Sequence, residues 1–206
     1  MAFVGPTGAG KTTIFRLLLG LEQPDSGSVT FDGIELAQLD VASVRRQLGV
    51  VMQGFKLLPG NIYENIVGGL ELKHDDAWEA AKAAGIADEI MAMPMRMYTP
   101  ISEMARTISE GQKQRILIAR ALVSKPKIVL FDEATSSLDN HTQAIVSQSL
   151  EHLKVTRVVI AHRLSTIENA DRIYVVDDGR IVESGDRHAL LKEDGLFASL
   201  TRRQMV

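Results

Sequence analysis

The sequence contains no cysteine and no long apolar run. The absence of cysteine excludes disulfide bonds, thiol catalysis and Cys-ligated zinc sites, and it suits a reducing compartment. No stretch approaches the ~18 consecutive apolar residues of a membrane span. The first residues also lack the basic and apolar regions of a signal peptide. We therefore expect the chain on its own to be soluble.

The chain also lacks an excess of charge of one sign. Lys and Arg number 23, Asp and Glu number 26, and the formal net charge is −3. Such a chain has no overall attraction to nucleic acid, so no nucleic-acid partner is expected. The 206 residues are 45% hydrophobic and 24% charged, which excludes a disordered or low-complexity chain. The length suits one domain, or a domain with a subdomain.

Strand and helix patterns alternate along most of the chain. Short apolar runs at 2–4, 49–53, 127–132, 157–161 and 173–177 are typical of buried strands. Helical patterns occupy 11–19, 41–47, 141–153, 165–169 and the tail from 186, and 61–122 is mostly helical. A short strand at 27–33 and a hairpin turn at 178–179 complete the pattern. This order predicts an α/β fold: a mainly parallel sheet flanked by helices, an inserted helical subdomain and a reduced antiparallel β part.

A glycine-rich segment between the first strand and the first helix matches G-x-x-x-x-G-K-[ST]. In this phosphate loop, backbone N–H groups and the helix N-terminus form a cradle for the β- and γ-phosphates of a nucleotide. Lys11 supplies a cation to the phosphates, and the Thr12 hydroxyl offers a ligand to Mg²⁺. The predicted nucleotide-binding residues here are Gly5, Pro6, Thr7, Gly8, Ala9, Gly10, Lys11, Thr12 and Thr13. The motif and its context predict a P-loop NTPase.

A second half of the site is predicted at the end of another apolar strand. Residues 127–131 lead directly into Asp132 and Glu133. An Asp at such a strand tip can hold Mg²⁺, usually through water, and the adjacent Glu can orient and polarise the attacking water. Alone this pattern is a weak signal, but together with the phosphate loop it favours a nucleotide-hydrolysing site.

Further motifs resemble those of ATP-binding cassette (ABC) proteins. Residues 108–112 read Ile-Ser-Glu-Gly-Gln and are similar to the family's L-S-G-G-Q signature. Gln53 after a buried strand, Ser-Leu-Asp at 137–139 and His162 after the next strand follow the family's order. The resemblance covers essentially the whole chain. It implies one ABC ATPase domain over 1–206, with a RecA-like core at 1–60 and 123–206 and a helical subdomain with the signature at 61–122.

The resemblance also implies roles for individual residues, with ATP and Mg²⁺ as cofactors. Glu133 would be the catalytic base, with His162 and Gln53 as the other catalytic residues, and Thr12, Gln53 and Asp132 would serve Mg²⁺. ABC domains work as head-to-tail pairs, most simply as homodimers. The residues that would complete the ATP site of the opposite subunit are Ser109, Gly111, Gln112 and, at the dimer interface, Asp139.

Within the family, the residues after Gln53 and around His162 resemble exporters. Segments 75–81, 92–95 and 139–146 look most like the ATPase part of bacteriocin or leader-peptide exporters. The implied function is to power export of a peptide, or another substrate, through a membrane domain. We expect that domain to be fused upstream, because the chain opens so close to its phosphate loop. The implied location is the cytoplasmic face of the plasma (inner) membrane.

Three departures from the family pattern accompany the resemblance. The adenine-stacking aromatic residue of the upstream strands is missing, Glu110 replaces the first glycine of the signature, and 103–107 is not glycine-rich. Two alternatives stay open. One is a soluble ABC ATPase of the repair or translation type, and the other is a truncated, non-catalytic module that binds nucleotide.

Overall fold

A computed structural model describes residues 1–102, 108–132, 134, 138–152, 155–161, 167–168 and 170–204. The chain forms two compact units. The first comprises Met1–Arg46, Leu130–Glu133 and Arg157–Val206, and the second comprises Gln47–Val129 and Ala134–Thr156. Over the described ranges, no helix is both long enough and apolar enough to cross a bilayer.

The first unit is built on parallel strands. Its strands are β1 Ala2–Val4, β2 Thr30–Phe31, β3 Ile34–Glu35, the end of β7 Ile128–Asp132, β8 Thr156–Ile160, β9 Ile173–Asp177 and β10 Arg180–Gly185. Its helices are α1 Lys11–Leu18, α2 Val41–Arg45, α8 Arg187–Lys192 and α9 Leu196–Gln204. The strands lie in the order β10-β9-β1-β8-β7. Strand β1 pairs parallel with β8 and β9, and β10 pairs antiparallel with β9.

One core of the first unit lies between this sheet and the C-terminal helices. Its buried members are Ala2, Val4, Ala161, Ile167, Ile173, Val175, Leu190 and Phe197. They come from β1 and β9, from the segments after β8, and from α8 and α9. Full burial of each Val, Ile, Leu or Phe side chain in this set contributes about 1.5–3 kcal/mol to folding, so this contact fixes the helices on the sheet.

The second unit is mainly helical. Its helices are α3 Ile62–Val67, α4 His74–Ala83, α5 Ala87–Ala92, α6 Glu110–Leu122 and α7 Asn140–His152. Its strands are β4 Leu48–Val51, β5 Gly60–Asn61, β6 Pro100–Ile101 and the first residues of β7. Helix α6 is central, because it packs against α3, α4 and β4.

Local sequence explains where two of these helices begin. Asn61 and Glu64 form a capping box at the start of α3, and Ser109 and Gln112 form one at the start of α6. In each box a side chain accepts the N–H of the third helical residue, and that residue's side chain accepts the N–H of the cap. Gly68 then ends α3 in the left-handed conformation.

The predicted α/β class, with a mainly parallel sheet and flanking helices, is confirmed. The strand expected at 27–33 is shorter, because only Thr30–Phe31 pairs with Ile34–Glu35 around the turn. The hairpin predicted at 178–179 joins β9 and β10. The helix predicted at 165–169 lies outside the described residues, except for residues 167 and 168.

Candidate nucleotide-binding site

The predicted phosphate loop joins the end of β1 to the start of α1. Gly5, Gly8 and Gly10 all have positive φ, with values of 150°, 84° and 97°. At Gly5 the lack of a side chain is required by space as well, because a Cβ would lie 2.0 Å from the carbonyl oxygen of Val176. Gly10 occupies the cap position of α1 in the left-handed conformation. The loop therefore has a backbone path that other residues would strain or block.

Neighbouring backbone holds the loop in place. The N–H of Ala9 donates to the carbonyl of Pro6 at 3.3 Å, and the N–H of Gly179 donates to the carbonyl of Ala9 at 3.1 Å. Gly179 lies in the turn between β9 and β10. The loop is thus held by one hydrogen bond within itself and by another from the β9–β10 hairpin.

Lys11 is a buried cation at the start of α1. The residue is 5% exposed, and its Nζ donates to the carbonyl oxygens of Gly5 at 2.8 Å and Pro6 at 2.7 Å. A desolvated ammonium group requires such partners. The arrangement concentrates positive charge inside the loop, where the N-terminus of α1 adds its own partial positive charge. Such a site favours a bound anion.

The structure also brings together two predicted magnesium ligands. The Thr12 Oγ1 donates a hydrogen bond to Oδ2 of Asp132 at 2.9 Å, although the two residues are 120 positions apart. Asp132 is 2% exposed at the end of β7. A hydroxyl and a carboxylate are hard oxygen donors, and Mg²⁺ is usually held by one or two carboxylates together with substrate phosphates and water. The donor set therefore fits Mg²⁺.

The two predicted groups for water activation, Glu133 and His162, lie outside the described residues. Gln53 is described, and it is an exposed residue just after β4 in the second unit. The roles of all three stay predictions.

The signature segment lies at the beginning of α6. Ser109 is the cap, its Oγ accepts the N–H of Gln112 at 3.2 Å, and Oε1 of Gln112 accepts the N–H of Ser109 at 2.8 Å. At Gly111 a Cβ would meet nothing within 4 Å, so the segment offers open space there. The Glu110 side chain is 82% exposed and forms an ion pair with Lys113 at 2.6 Å. Lys113 thus compensates the negative charge of Glu110, the residue that replaces a glycine of the signature pattern.

Asp139 caps the next helix, α7. Its Oδ1 accepts the N–H of Thr142 at 2.9 Å, and its Oδ2 accepts the Thr142 hydroxyl at 2.8 Å. These hydrogen bonds, that from the Thr142 N–H first, lower the pKa of the Asp139 carboxyl and keep it ionised. The geometry fixes the start of α7, and the proposed interface role of Asp139 stays a prediction.

One residue of the signature region was not predicted from the sequence. The Glu89 carboxylate, on α5, accepts a hydrogen bond from Nε2 of Gln112 at 2.7 Å. No motif marks this residue, since it is simply one acid in the first turn of a short helix. Only the fold of the second unit brings the two residues together.

Comparison with known proteins places this fold and loop in a defined class. The α/β sheet, the glycine-rich loop after β1 and the acid at the end of β7 define a P-loop nucleotide-binding domain. The ABC transporter family matches residues 1–136. The chain therefore belongs to the ABC transporter family, as an ATPase domain of that family.

The similar proteins include a named ATP-binding cassette protein, a lipid flippase and an ABC exporter. The chain is 43% identical over 207 residues to human ATP-binding cassette sub-family B member 6, covering 99% of this chain and 25% of that protein. It is 39% identical to the ATP-dependent lipid A-core flippase of Francisella novicida, covering 98% of this chain and 35% of the flippase. A solved structure of a bacterial Atm1-family ABC exporter with ATP bound is 41% identical, with a TM-score of 0.95 over 100% of this chain and 36% of that one.

The chain thus spans about a third or less of these relatives. Its likeness to them is of the exporter type, which does not favour the repair or translation alternative.

Proposed function

We propose that this chain binds and hydrolyses MgATP in head-to-tail pairs and thereby drives an exporter. The observation that carries the proposal is the braced phosphate loop with buried Lys11, next to the Thr12–Asp132 hydrogen bond. The likeness to an exporter solved with ATP bound supports the choice of ATP.

In this proposal the loop amides and Lys11 bind the β- and γ-phosphates. Thr12, Asp132 and Gln53 would hold Mg²⁺, which neutralises developing phosphate charge when bound. Glu133 accepts a proton from the attacking water, and His162 contacts the γ-phosphate and helps to hold that water. Proton transfer by such a base typically contributes about 100- to 10,000-fold to the rate.

The second chain would complete each site. Ser109, Gly111 and Gln112 approach the γ-phosphate bound by the opposite subunit, and Asp139 couples the two sites. The capped N-terminus of α6 supports this, because the start of a helix favours an anion. The open space at Gly111 supports it too, since it would let phosphate come close to the backbone.

The wider proposal concerns the membrane part. In this proposal a transmembrane domain is fused upstream in the full-length protein. Closing and opening of the ATPase pair would change the conformation of that domain at the cytoplasmic face of the membrane. A peptide of the bacteriocin type is the narrower substrate hypothesis, and it rests on the resemblance of segments 75–81, 92–95 and 139–146. It predicts that the exported peptide stimulates ATP hydrolysis by the full-length transporter in lipid.

The test is MgATP hydrolysis by the purified chain at increasing protein concentration. The rate per chain should rise with concentration toward a plateau, because two chains build each site. The Glu133→Gln variant should lose about 100-fold or more of that rate. Glu71→Gln, which removes the same charge from an exposed position, should match the unmodified chain.

Two outcomes contradict the proposal. A rate per chain that does not change with concentration contradicts the head-to-tail pair. Nucleotide binding without any turnover contradicts catalysis and favours the alternative of a non-catalytic module.

A further inference from the structure

Three side chains connect the short helix α5 to the first two turns of α6. The Glu89 carboxylate on α5 accepts a hydrogen bond from Nε2 of Gln112 at 2.7 Å and another from Nη1 of Arg115 at 2.5 Å. The two donors reach different carboxylate oxygens, so both acceptor oxygens of Glu89 are used.

The same Gln112 side chain belongs to the cap of α6. While its Nε2 donates to Glu89, its Oε1 accepts the N–H of Ser109 at 2.8 Å. The Ser109 Oγ in turn accepts the N–H of Gln112 at 3.2 Å. A continuous chain of hydrogen bonds therefore runs from Arg115 through Glu89 and Gln112 to Ser109.

Arg115 gives this chain a fixed end. Its side chain is 11% exposed, and it also donates to the carbonyl oxygens of Gly85 at 2.8 Å and Gly111 at 3.2 Å. Charge-assisted hydrogen bonds that a guanidinium donates to a carboxylate are about twice as strong as neutral ones. These hydrogen bonds hold the Glu89 side chain in one conformation.

The charge of Glu89 is retained in this setting. Desolvation alone raises the pKa of the Glu89 carboxyl, but the hydrogen bonds from Arg115 and Gln112 outweigh it and leave the pKa below its usual range. The carboxylate stays ionised, and both of its oxygens accept hydrogen bonds.

We propose that Glu89 is a positioning residue for the signature segment: it fixes the Gln112 side chain, and through it the Ser109 cap, in the geometry that meets the nucleotide of a second chain. This inference rests on the proposed function, in which Ser109 and Gln112 act across the pair. Glu89 itself contacts no nucleotide. Its effect reaches the shared site through Gln112, and also through Arg115, which donates to the carbonyl oxygen of Gly111.

The first measurement needs no activity. In Glu89→Gln one acceptor oxygen becomes a donor, so Arg115 and Gln112 can no longer both be satisfied. Hydrogen exchange at the Ser109 and Gln112 amides should then quicken by about three- to tenfold, which matches the loss of one hydrogen bond of ordinary strength. Asp88→Asn removes the same charge from the same turn of α5 at an exposed residue, and it should leave both amides unchanged.

The second measurement uses hydrolysis by the same proteins. Binding of a fluorescent ATP analogue at low protein concentration reports the phosphate loop alone, and it should be equal in Glu89→Gln, Asp88→Asn and the unmodified chain. The protein concentration that gives half of the maximal rate should rise about threefold or more in Glu89→Gln only. A merely structural role would not separate these two readouts.

The outcomes are distinguishable. Unchanged exchange at Ser109 and Gln112 overturns the positioning role, and so does faster exchange spread equally over β9, which would report general destabilisation. Changed exchange with an unchanged half-maximal concentration overturns the link to the shared site. If the unmodified chain shows no concentration-dependent hydrolysis, the proposed function fails, and the exchange result alone decides whether Glu89 positions the cap.

Discussion

At the scale of single residues, Lys11 combines two tasks that oppose each other. Its ammonium group is almost completely buried, which is costly, yet its proposed role in binding phosphate requires the charge. The carbonyl oxygens of Gly5 and Pro6 resolve this, because they accept its hydrogen bonds within the loop itself. The backbone of the loop itself therefore holds the Lys11 ammonium group in place.

Replacing Lys11 with alanine should therefore cost nucleotide binding far more than it costs folding. Loss of a charged hydrogen bond of about 1.5–3 kcal/mol corresponds to an affinity roughly 10- to 150-fold lower. Titration with a fluorescent ATP analogue measures this directly. Lys125→Ala removes an exposed lysine that pairs with Glu79, and it serves as the control. Equal affinity in Lys11→Ala and Lys125→Ala would contradict the role of Lys11.

What the sequence could predict at this scale depends on distance along the chain. The phosphate loop is contiguous, so its residue types alone reveal Lys11 and Thr12. Asp132 could be inferred because strand ends in a parallel sheet meet at one edge. Glu89 could not be inferred, since it lies 23 positions from Gln112 and reaches it only through the tertiary fold of the second unit. No local pattern encodes that contact.

At the scale of elements, helix starts are where sequence patterns are most informative. Asp186 caps α8 by accepting the N–H of Ala189 at 2.9 Å, and Ser109 caps α6 in a similar way. Asp and Ser are among the residue types that are preferred at such cap positions. The strand expected at 27–33 was less well predicted, because only two residue pairs form around the turn at Asp32 and Gly33.

The Asp186 cap makes stability depend on pH with a defined sign. The hydrogen bond from the Ala189 N–H is the main cause that lowers the pKa of Asp186 in the folded chain below its ordinary value. Its stabilisation is complete above the unfolded pKa and disappears as the pH falls through the folded value. Urea midpoints should therefore drop below about pH 4. In Asp186→Asn, which keeps a cap without the charge, this drop should be smaller, and an identical drop would contradict the assignment.

Strand β4 and helix α6 approach so closely that only glycine fits at one contact. A Cβ at Gly49 would lie 2.2 Å from the carbonyl oxygen of Ala121 and 2.9 Å from Pro126. Gly49→Ala should destabilise the second unit by about 1–3 kcal/mol, as overpacking typically does. Thermal unfolding measures the loss. The control is Gly111→Ala, whose added Cβ meets no atom within 4 Å and should change the stability little. Gly54→Ala is not a suitable control, because the positive φ of Gly54 would itself strain an alanine.

At the scale of the whole molecule, the proposed site is divided between copies of the chain. The phosphate loop belongs to the first compact unit and the signature segment to the second. In a head-to-tail pair each chain gives its loop to one site and its signature to the other. A defect in the loop and a defect in the signature therefore have separable consequences when they sit on different chains.

Mixing two inactive variants tests this division. Lys11→Ala disables a loop but keeps a signature, and Gly111→Asp brings a carboxylate toward phosphate but keeps a loop. The second substitution suits the fold, because the position is open and an acid in the first turn of a helix is favourable. At equal amounts, half of the random pairs are mixed and each holds one intact site. The mixture should therefore recover about a quarter of the unmodified rate, provided that the sites act independently.

The control is each variant alone at the same total concentration, which should show almost no hydrolysis. Recovery in the mixture and in neither component can arise only if loop and signature from different chains build one site. No recovery from two folded variants that still associate would contradict head-to-tail sharing. Activity in Gly111→Asp alone would place the hydrolytic site within a single chain. The signature segment of the second unit would then have a different function.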